Sequence, residues 1–400
     1  MTNENKLPLA GLRVIDASSI IAGPKLASYL GDFGADVIKV EPPKGDALRF
    51  AGKIKEGKSL EWKLMSRNKK PITLNLGTEK GQELFYRLSK TADVVITNFR
   101  PNTLKKWNID YENLSAVNEK LIMVKVSGFG ENGPYSSRPG FGTLAEAMGG
   151  FANINGFPDS GPLLPNFALA DQATALLGAF ATMTAIYERE HSPDGKGQYI
   201  DLPIYEALMG ILGNQVMEYD QLGVLPKRMG NRSEWSVPRN LYQTKDKKWV
   251  AVSGSAQSIV ERIFKAIGRE ELIHDPKFKD NQARLQHAEE LEQIMADWMI
   301  LHTQEEILKR FMEYEATIAP VYDTAEMLQD PHFNFRENFI DVPDDDFGSV
   351  KMLNVIPKFS RTPGKIRNTG LEKGSCNEEV YQELGLSAEE IEEFKKNNII

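Results

Sequence analysis

"ASSIIAGPKLASYLGDFGADVIKVEPP" (residues 17–43) decides how the chain is read. It continues "GLRVIDAS" (11–18), whose shortness and β-branched content are those of a buried strand. Gly23-Pro24 breaks that strand, and proline suits the first turn of a helix, where its missing N–H has no partner to lose. Leu26, Tyr29, Leu30 and Phe33 then recur at helical spacing, Gly34 stops the helix, and "ADVIKVEP" gives a second apolar strand. Two such strands joined by one helix predict a right-handed βαβ unit.

A dinucleotide would need G-x-G-x-x-G at the turn, so that backbone N–H groups approach a pyrophosphate. Here the turn offers only Ala22-Gly23-Pro24; Gly31 and Gly34 come too late, and the proline removes a donor. Glu41 stands where a ribose-binding acid would, but the fingerprint fails and NAD is not expected.

The alternation of strand and helix continues outward. "KPITLNL" (70–76), "ADVVITNF" (92–99) and the end of "NEKLIMVKVSGFG" (118–130) read as strands, with an amphipathic helix over 79–91. The expected fold is therefore α/β, a Rossmann-like large domain with a mainly parallel sheet. Residues 131–168 are rich in Gly, Pro and Ser with short helical pieces such as "TLAEAMGGF". A long helix follows over 171–190, with Ala173, Leu176, Leu177, Phe180, Met183 and Tyr187 as its apolar stripe. The connector "GVLPKRMGNRSEWSVPRN" opens a smaller α+β domain. The expected organisation is 1–221 for the first part of the large domain, 222–330 for the small domain with its linkers, and 331–400 for a return to the large one. "SAEEIEEFKKNNII" closes the chain as a helix with a serine cap and an acidic first turn.

Composition excludes several classes. With 41% hydrophobic and 26% charged residues the chain has the balance of a soluble globular protein. A net charge of −8 argues against nucleic acid or an anionic membrane as partner, since both need a cationic surface. The single cysteine, Cys376, permits no intrachain disulfide and no cysteine metal cluster, and no metal site is expected. No secretory leader or uninterrupted apolar span is visible, so a cytoplasmic protein is expected. All five histidines (His191, His274, His287, His302 and His332) lie beyond residue 190.

The opening stretch, with its Ala22-Gly23-Pro24 turn and "FGADVIKVEPP", resembles the start of the family III CoA-transferases (CaiB/BaiF type), which include formyl-CoA, carnitine-type and aryl-CoA transferases. Further segments match in order: "SRNKKPITLNL", "TADVVITNFRPNTL", "KVSGFGENGPYSSRPGF", "LADQATALLGAFATMTAIYERE", "GKGQYIDLPIYEAL", "GNRSEWSVP" and "GLSAEEIEEF". The resemblance covers residues 9–400. It implies a ring-shaped chain in an interlocked homodimer. It also implies that CoA moves from an acyl-CoA thioester to a free carboxylic acid, with CoA as substrate and no permanently bound cofactor.

Asp171, at the start of the long helix, reads on its own as an N-cap. By resemblance it is the nucleophile, and a helix N-terminus would lower its pKa and keep it ionised. The resemblance places CoA contacts at Ser19, Ile20, Ile21 and Ala22, at Leu74, at Asn98 and Phe99, and at Lys106. Arg49 and Arg100 are further phosphate partners by type. Residues 253–257, "SGSAQ", lie where some members carry a glycine-rich lid; here they read better as a loop after a strand. Phe141, Trp235 and Tyr242 are candidates for shaping an acid pocket, the last two equally for packing.

Two rival readings remain open. Racemases and epimerases of the same fold use a histidine in a G-H-D triplet; here the triplet is Gly140-Phe141-Gly142, and phenylalanine moves no proton. Gly142 also replaces an acid common in the transferases. The other rival is a noncatalytic CoA-binding protein, against which the retained Asp171 speaks.

Overall fold

In β1 (Arg13–Ala17) successive side chains point to opposite faces of the sheet, and both faces are buried. Val14 joins one core with Val37, Val94, Ile122 and Val124, while Ile15 and Ala17 join another with Ile38, Ile72, Val95 and Met123. Strands that are apolar on both faces need helices on both sides, and the fold supplies them. The computed structural model describes residues 7–400. After β1 come α1 (Ala22–Asp32), β2 (Asp36–Glu41), β3 (Lys69–Thr73), α2 (Glu79–Lys90), β4 (Val94–Thr97), α3 (Pro101–Lys106) and β5 (Ile122–Ser127). There follow α4 (Gly142–Met148), α5 (Leu169–His191), β6 (Tyr199–Pro203) and α6 (Ile204–Met209).

These six strands form one parallel sheet in the order β3-β2-β1-β4-β5-β6. The order reverses between β1 and β4, so a crevice opens at their carboxyl ends. The sheet belongs to a unit made of the residues up to Ala152, Leu164–Val224 and Arg336–Ile400.

Helix α5 differs from its expected packing. Leu176, Phe180 and Tyr187 are 58%, 70% and 67% exposed, and Ala170, Thr174, Ala175, Gly178, Thr182 and Ala185 are buried instead. The reason is the closeness of α1. A Cβ at Gly178 would stand 2.4 Å from Leu26 Cδ1 and 2.7 Å from Leu202 Cδ2, so only small residues fit on the inner face. Leu176, Leu177, Phe180 and Tyr187 of the stripe turn outward while Met183 packs partly buried on the core, and Leu177 and Phe180 line a groove with Ile200 and Leu202 at the edge strand β6. Among the described residues α5 alone is long and apolar enough to cross a membrane, and its inner face packs on α1 and the sheet.

The second unit comprises Asn153–Leu163 and Leu225–Phe335, so it takes in a segment the sequence reading leaves with the first. Strands β7 (Arg239–Gln243), β8 (Trp249–Ser253) and β9 (Ile318–Pro320) form an antiparallel sheet in the order β9-β8-β7. Helices α7 (Gln257–Ala266), α8 (Ala288–Met299) and α9 (Gln304–Glu313) cover it through Ile263, Phe264, Met295 and Phe311. Arg284 is wholly buried there, donating to the carbonyls of Val237 and Phe278 and to Gln257 Oε1.

Back in the first unit, the hairpin β10 (Phe339–Asp344) and β11 (Gly348–Leu353) leads to α10 (Asn377–Glu383) and α11 (Ala388–Lys396). Tyr381 Oη and Asn377 tie α10 to edge strand β3 through Thr73. The expected serine cap of α11 is a full capping box between Ser387 and Glu390.

Because α5 sits on α1 without room for a side chain at 178, Gly178→Val overpacks this contact. It should destabilise the protein by about 1–3 kcal/mol, read as a lower midpoint of urea denaturation. An unchanged midpoint would refute the close-approach account.

Candidate active site

The turn after β1 is held from both sides of the crevice. Asn98, just beyond β4, accepts the Ser19 N–H at 3.0 Å and donates Nδ2 to the Ser19 carbonyl at 2.8 Å. This clamp fixes Ile20 at φ +71°, a left-handed conformation that costs a β-branched residue about 1–3 kcal/mol. Beneath it, Asp16 is fully buried and accepts from both N–H and Oγ of Ser18. Lys69 Nζ lies 2.8 Å from Asp16 and donates to the Pro24 carbonyl, and Lys39 Nζ donates to the Ser18 carbonyl. Burial alone would push the Asp16 carboxyl up; Lys39 and Lys69 hold it below the usual range.

Asp171 lies opposite the turn. It is not the N-cap of α5: Ala168 holds that place without a side-chain hydrogen bond, and Asp171 is the third helical residue. Its carboxyl is pushed up to about 6, against the expected lowering. Burial is the largest cause and the nearby Glu146 carboxylate adds to it, while the N–H groups of Ala22 and of Asp171 itself favour the charged form without prevailing. The side chain needs the missing Cβ of Gly142, because a Cβ there would stand 2.1 Å from Asp171 Oδ2. Glu146, one helical turn further along α4, is 3% exposed and accepts the Ala170 N–H at 3.2 Å.

Around this pair is a cleft of about 530 Å³ at the β1–β4 crossover. Ser19, Ile20, Ile21, Ala22 and Asn98 line it from the sheet side, and Phe141, Gly142, Thr143, Glu146, Phe167 and Asp171 from the helical side. Among the described residues no lysine, arginine or histidine lines it. The N-termini of α1, α4 and α5 all open here without side-chain caps, leaving backbone N–H groups and favourable helix dipoles for a ligand's negative oxygens. Such a site offers a carboxylate, which above its pKa needs no base before it attacks, together with N–H donors for a developing oxyanion.

Of the residues expected at the site, Ser19, Ile20, Ile21, Ala22, Asn98 and Asp171 come together in this cleft. The others do not line it. Leu74 is buried in the core and gives its N–H to the Glu41 carbonyl. Phe99 packs edge-on against Trp107 at 5.2 Å. Lys106 is exposed on α3, and Arg100, also exposed, lines a separate cleft of about 670 Å³ with Thr103, Lys105 and Tyr199. Arg49 is committed within the fold: it makes two 2.7 Å hydrogen bonds to Glu41, bonds the Leu371 carbonyl, and stacks on Trp62 at 3.6 Å. The same pairing occupies Glu41.

In the second unit Tyr242 is core and donates to Glu292, Trp235 is exposed, and residues 254–256 are a loop between β8 and α7. Sequence reasoning passed over Glu146. Its signal was the four-residue spacing from Gly142, which puts both on one helix face.

Gly142→Ala should leave the sheet intact and drive the Asp171 carboxylate out of its seat. A crystal structure of the variant with Oδ2 within about 0.5 Å of its present place would contradict the steric account.

Comparison with known proteins gives these features their context. The family model CoA-transferase family III matches residues 9–370. The chain is 39% identical over 396 residues to a succinyl-CoA–D-citramalate CoA-transferase of Chloroflexus aurantiacus, covering 98% of each protein. It is 31% identical over 387 residues to a succinate–glutarate CoA-transferase of Agrobacterium fabrum, covering 95% of this chain and 96% of that one. Among solved structures, a CaiB/BaiF family protein from Brucella suis superposes with a TM-score of 0.84 at 32% identity, over 95% of this chain and all of the other. The α/β fold with its Rossmann-like sheet, the absence of a dinucleotide fingerprint and the carboxylate-bearing cleft therefore have one explanation: the chain belongs to CoA-transferase family III, and it is an enzyme that transfers CoA.

Proposed function

We propose that the protein moves CoA from succinyl-CoA to a short dicarboxylic acid of the citramalate or glutarate kind, with Asp171 as covalent nucleophile. The position of Asp171 carries this reading: a carboxylate seated against the N–H of Ala22, at the mouth of the crevice, with no histidine or lysine among the described residues that line the cleft. The substrates rest on the two relatives, whose names specify succinyl-CoA with D-citramalate and succinate with glutarate.

In the first step an Asp171 oxygen attacks the thioester carbonyl carbon and the C–S bond breaks, giving a mixed anhydride and CoA thiolate. The thiolate attacks the Asp171 carbonyl, expelling the donor acid as its carboxylate and leaving an aspartyl-CoA thioester. The acceptor's carboxylate attacks that thioester, a second anhydride forms, and the returning thiolate takes the acceptor's acyl group and frees Asp171. Each step exchanges one acyl–oxygen or acyl–sulfur bond for another, so no proton and no metal is required. Uncapped N–H groups at α1 and α5 stabilise the tetrahedral oxyanions. A thioester binding along Ser19–Ala22 and Asn98 reaches Asp171 directly, and Arg100 and Lys106 serve its phosphates from outside the cleft. Phe141, standing where racemases carry histidine, favours transfer over epimerisation.

The exposed apolar groove along α5 and β6 is the surface we assign to a second copy of the chain, in an interlocked homodimer working in the cytoplasm. Light scattering should return twice the chain mass of 44.8 kDa, and a monomer at micromolar concentration would contradict it.

The catalytic reading is tested by incubating the protein with succinyl-CoA alone and measuring the mass of acid-quenched peptides. An adduct on the Asp171 peptide, absent from Asp171→Ala, is expected. Because the attacking form is ionised and its carboxyl is pushed up to about 6, labelling should slow as pH falls through that value. A protein that binds CoA but forms no adduct with any acyl-CoA would overturn the mechanism.

A further inference from the structure

Successive residues of β7 and β8 point to opposite faces of the antiparallel sheet. Tyr242, Val250 and Val252 turn to the face that α7, α8 and α9 cover. On the other face Arg239 stands opposite Ser253 and Leu241 opposite Ala251, with Ala319 beside Ala251. This second face floors a pocket of about 500 Å³ that lies wholly within the second unit. An open face of an antiparallel sheet ordinarily carries polar side chains solvated by water. Here the floor is Leu241, Ala251 and Ala319, and among the described residues Arg239 is the one cation that lines the pocket. No aspartate or glutamate among the described residues lines it, in a chain whose net charge is −8.

The guanidinium of Arg239 is only half used. Its Nη1 donates to the carbonyls of Asn231 and Arg232 at 3.0 and 3.1 Å. Among the described residues Nε and Nη2 have no hydrogen-bond partner, and the group takes part in no ion pair. The carboxylates nearby are engaged. Glu292 accepts from Tyr242 Oη, Asn240 Nδ2 and the Arg239 backbone N–H, and Glu289 pairs with Arg232. Nε and Nη2 form the edge of a guanidinium whose two parallel N–H groups match the two oxygens of a carboxylate. Pinning Nη1 fixes that edge before a ligand arrives, so less side-chain freedom is lost on binding. Asn231 and Ser253 line the same pocket, and their side chains, unbonded among the described residues, offer further donors.

Resting on the reading of short dicarboxylates as the acids exchanged, we propose that this pocket is a carboxylate-binding site. Arg239 grips one carboxylate through Nε and Nη2, and the apolar floor lies under the ligand's methylenes. A dicarboxylic acid gives one carboxylate to the exchange and keeps a second. The cleft at Asp171 has no lining cation for either among the described residues, whereas the second unit has one. The small side chains of Ala251 and Ala319 leave room above the sheet for a short aliphatic chain. A phosphate monoester, with a charge of about −2, calls for more than one guanidinium, while a single fork matches a carboxylate.

Glutarate titrated calorimetrically into the full wild-type chain, with no acyl-CoA present, should bind, and Arg239→Gln should weaken that binding by ~10-fold or more. Arg239→Lys keeps the charge without the fork and should fall between the two. Equal affinities in wild type and Arg239→Gln would overturn the site. Inorganic phosphate that displaces glutarate at equal concentration would overturn its assignment to carboxylates.

A second measurement needs no variant. Glutarate should slow modification of Arg239 by phenylglyoxal in wild type, followed by the mass of the peptide that carries it, and an unchanged rate would refute the contact. Transfer of CoA from succinyl-CoA to glutarate, assayed alongside, separates the two readings. Transfer to glutarate with binding that ignores Arg239 overturns the pocket alone. Binding that depends on Arg239, with no transfer to any dicarboxylic acid, overturns the acids alone.

Discussion

The contact on which the site depends is the close approach of two helices. Gly178 lets α5 settle on Leu26 of α1 and Leu202 of β6, and small residues at 170, 174, 175, 182 and 185 continue that face. Helices this near carry their N-termini near as well. The start of α1 is the turn after β1, and the start of α5 carries Asp171; the seat of the Asp171 carboxylate against the Ala22 N–H therefore depends on a contact about two turns along α5, on what is absent at 178. Large side chains displaced from this face gather on the outside of α5, so one packing decision produces both the juxtaposition of Asp171 with Ala22 and the exposed apolar groove.

A second constraint keeps the turn from relaxing. Ile20 adopts a backbone conformation that a β-branched residue avoids, and Asn98 holds it there through both hydrogen bonds to Ser19. The buried Asp16, Lys39 and Lys69 give the turn a polar floor. Removing any one partner would leave an uncompensated buried charge, which costs far more than the intact set contributes. This cluster is best understood as fixing one geometry for Ser18–Ala22. Strain concentrated at a cleft-facing turn, over a buried polar floor, is what a preorganised site requires.

The sheet was legible because strands buried on both faces leave continuous apolar runs, and β1, β2, β4 and β5 all show them. The failed glycine fingerprint was equally informative, since it separates this crevice from a dinucleotide site by the identity of three turn residues. What stayed hidden depends on proximity across the fold. Arg49 is a plausible phosphate ligand by type, and only folding shows that Glu41, Trp62 and Leu371 have claimed it. The stripe on α5 obeys helical periodicity yet faces out, because periodicity identifies a face without saying which neighbour covers it. Gly142 seemed a loss when compared with an acidic residue; in space it is the seat of the Asp171 carboxylate.

The charge state of Asp171 shows how far the site departs from a stability optimum. A helix N-terminus by itself would depress a carboxyl, yet here burial and Glu146 outweigh it and leave the group near 6. The folded carboxyl lies above its unfolded value of 3.8, so the fold binds this proton more tightly than the unfolded chain does. Stability from this group is thus present at low pH and lost as pH rises toward 6. At neutral pH, where the proposed nucleophile is ionised, holding it in the cleft costs the fold free energy. A surface aspartate at the same helix end would be hydrated and would avoid that cost. On the proposed mechanism, the desolvation that weakens the fold is therefore the same property that leaves the carboxylate free to exchange one acyl partner for another.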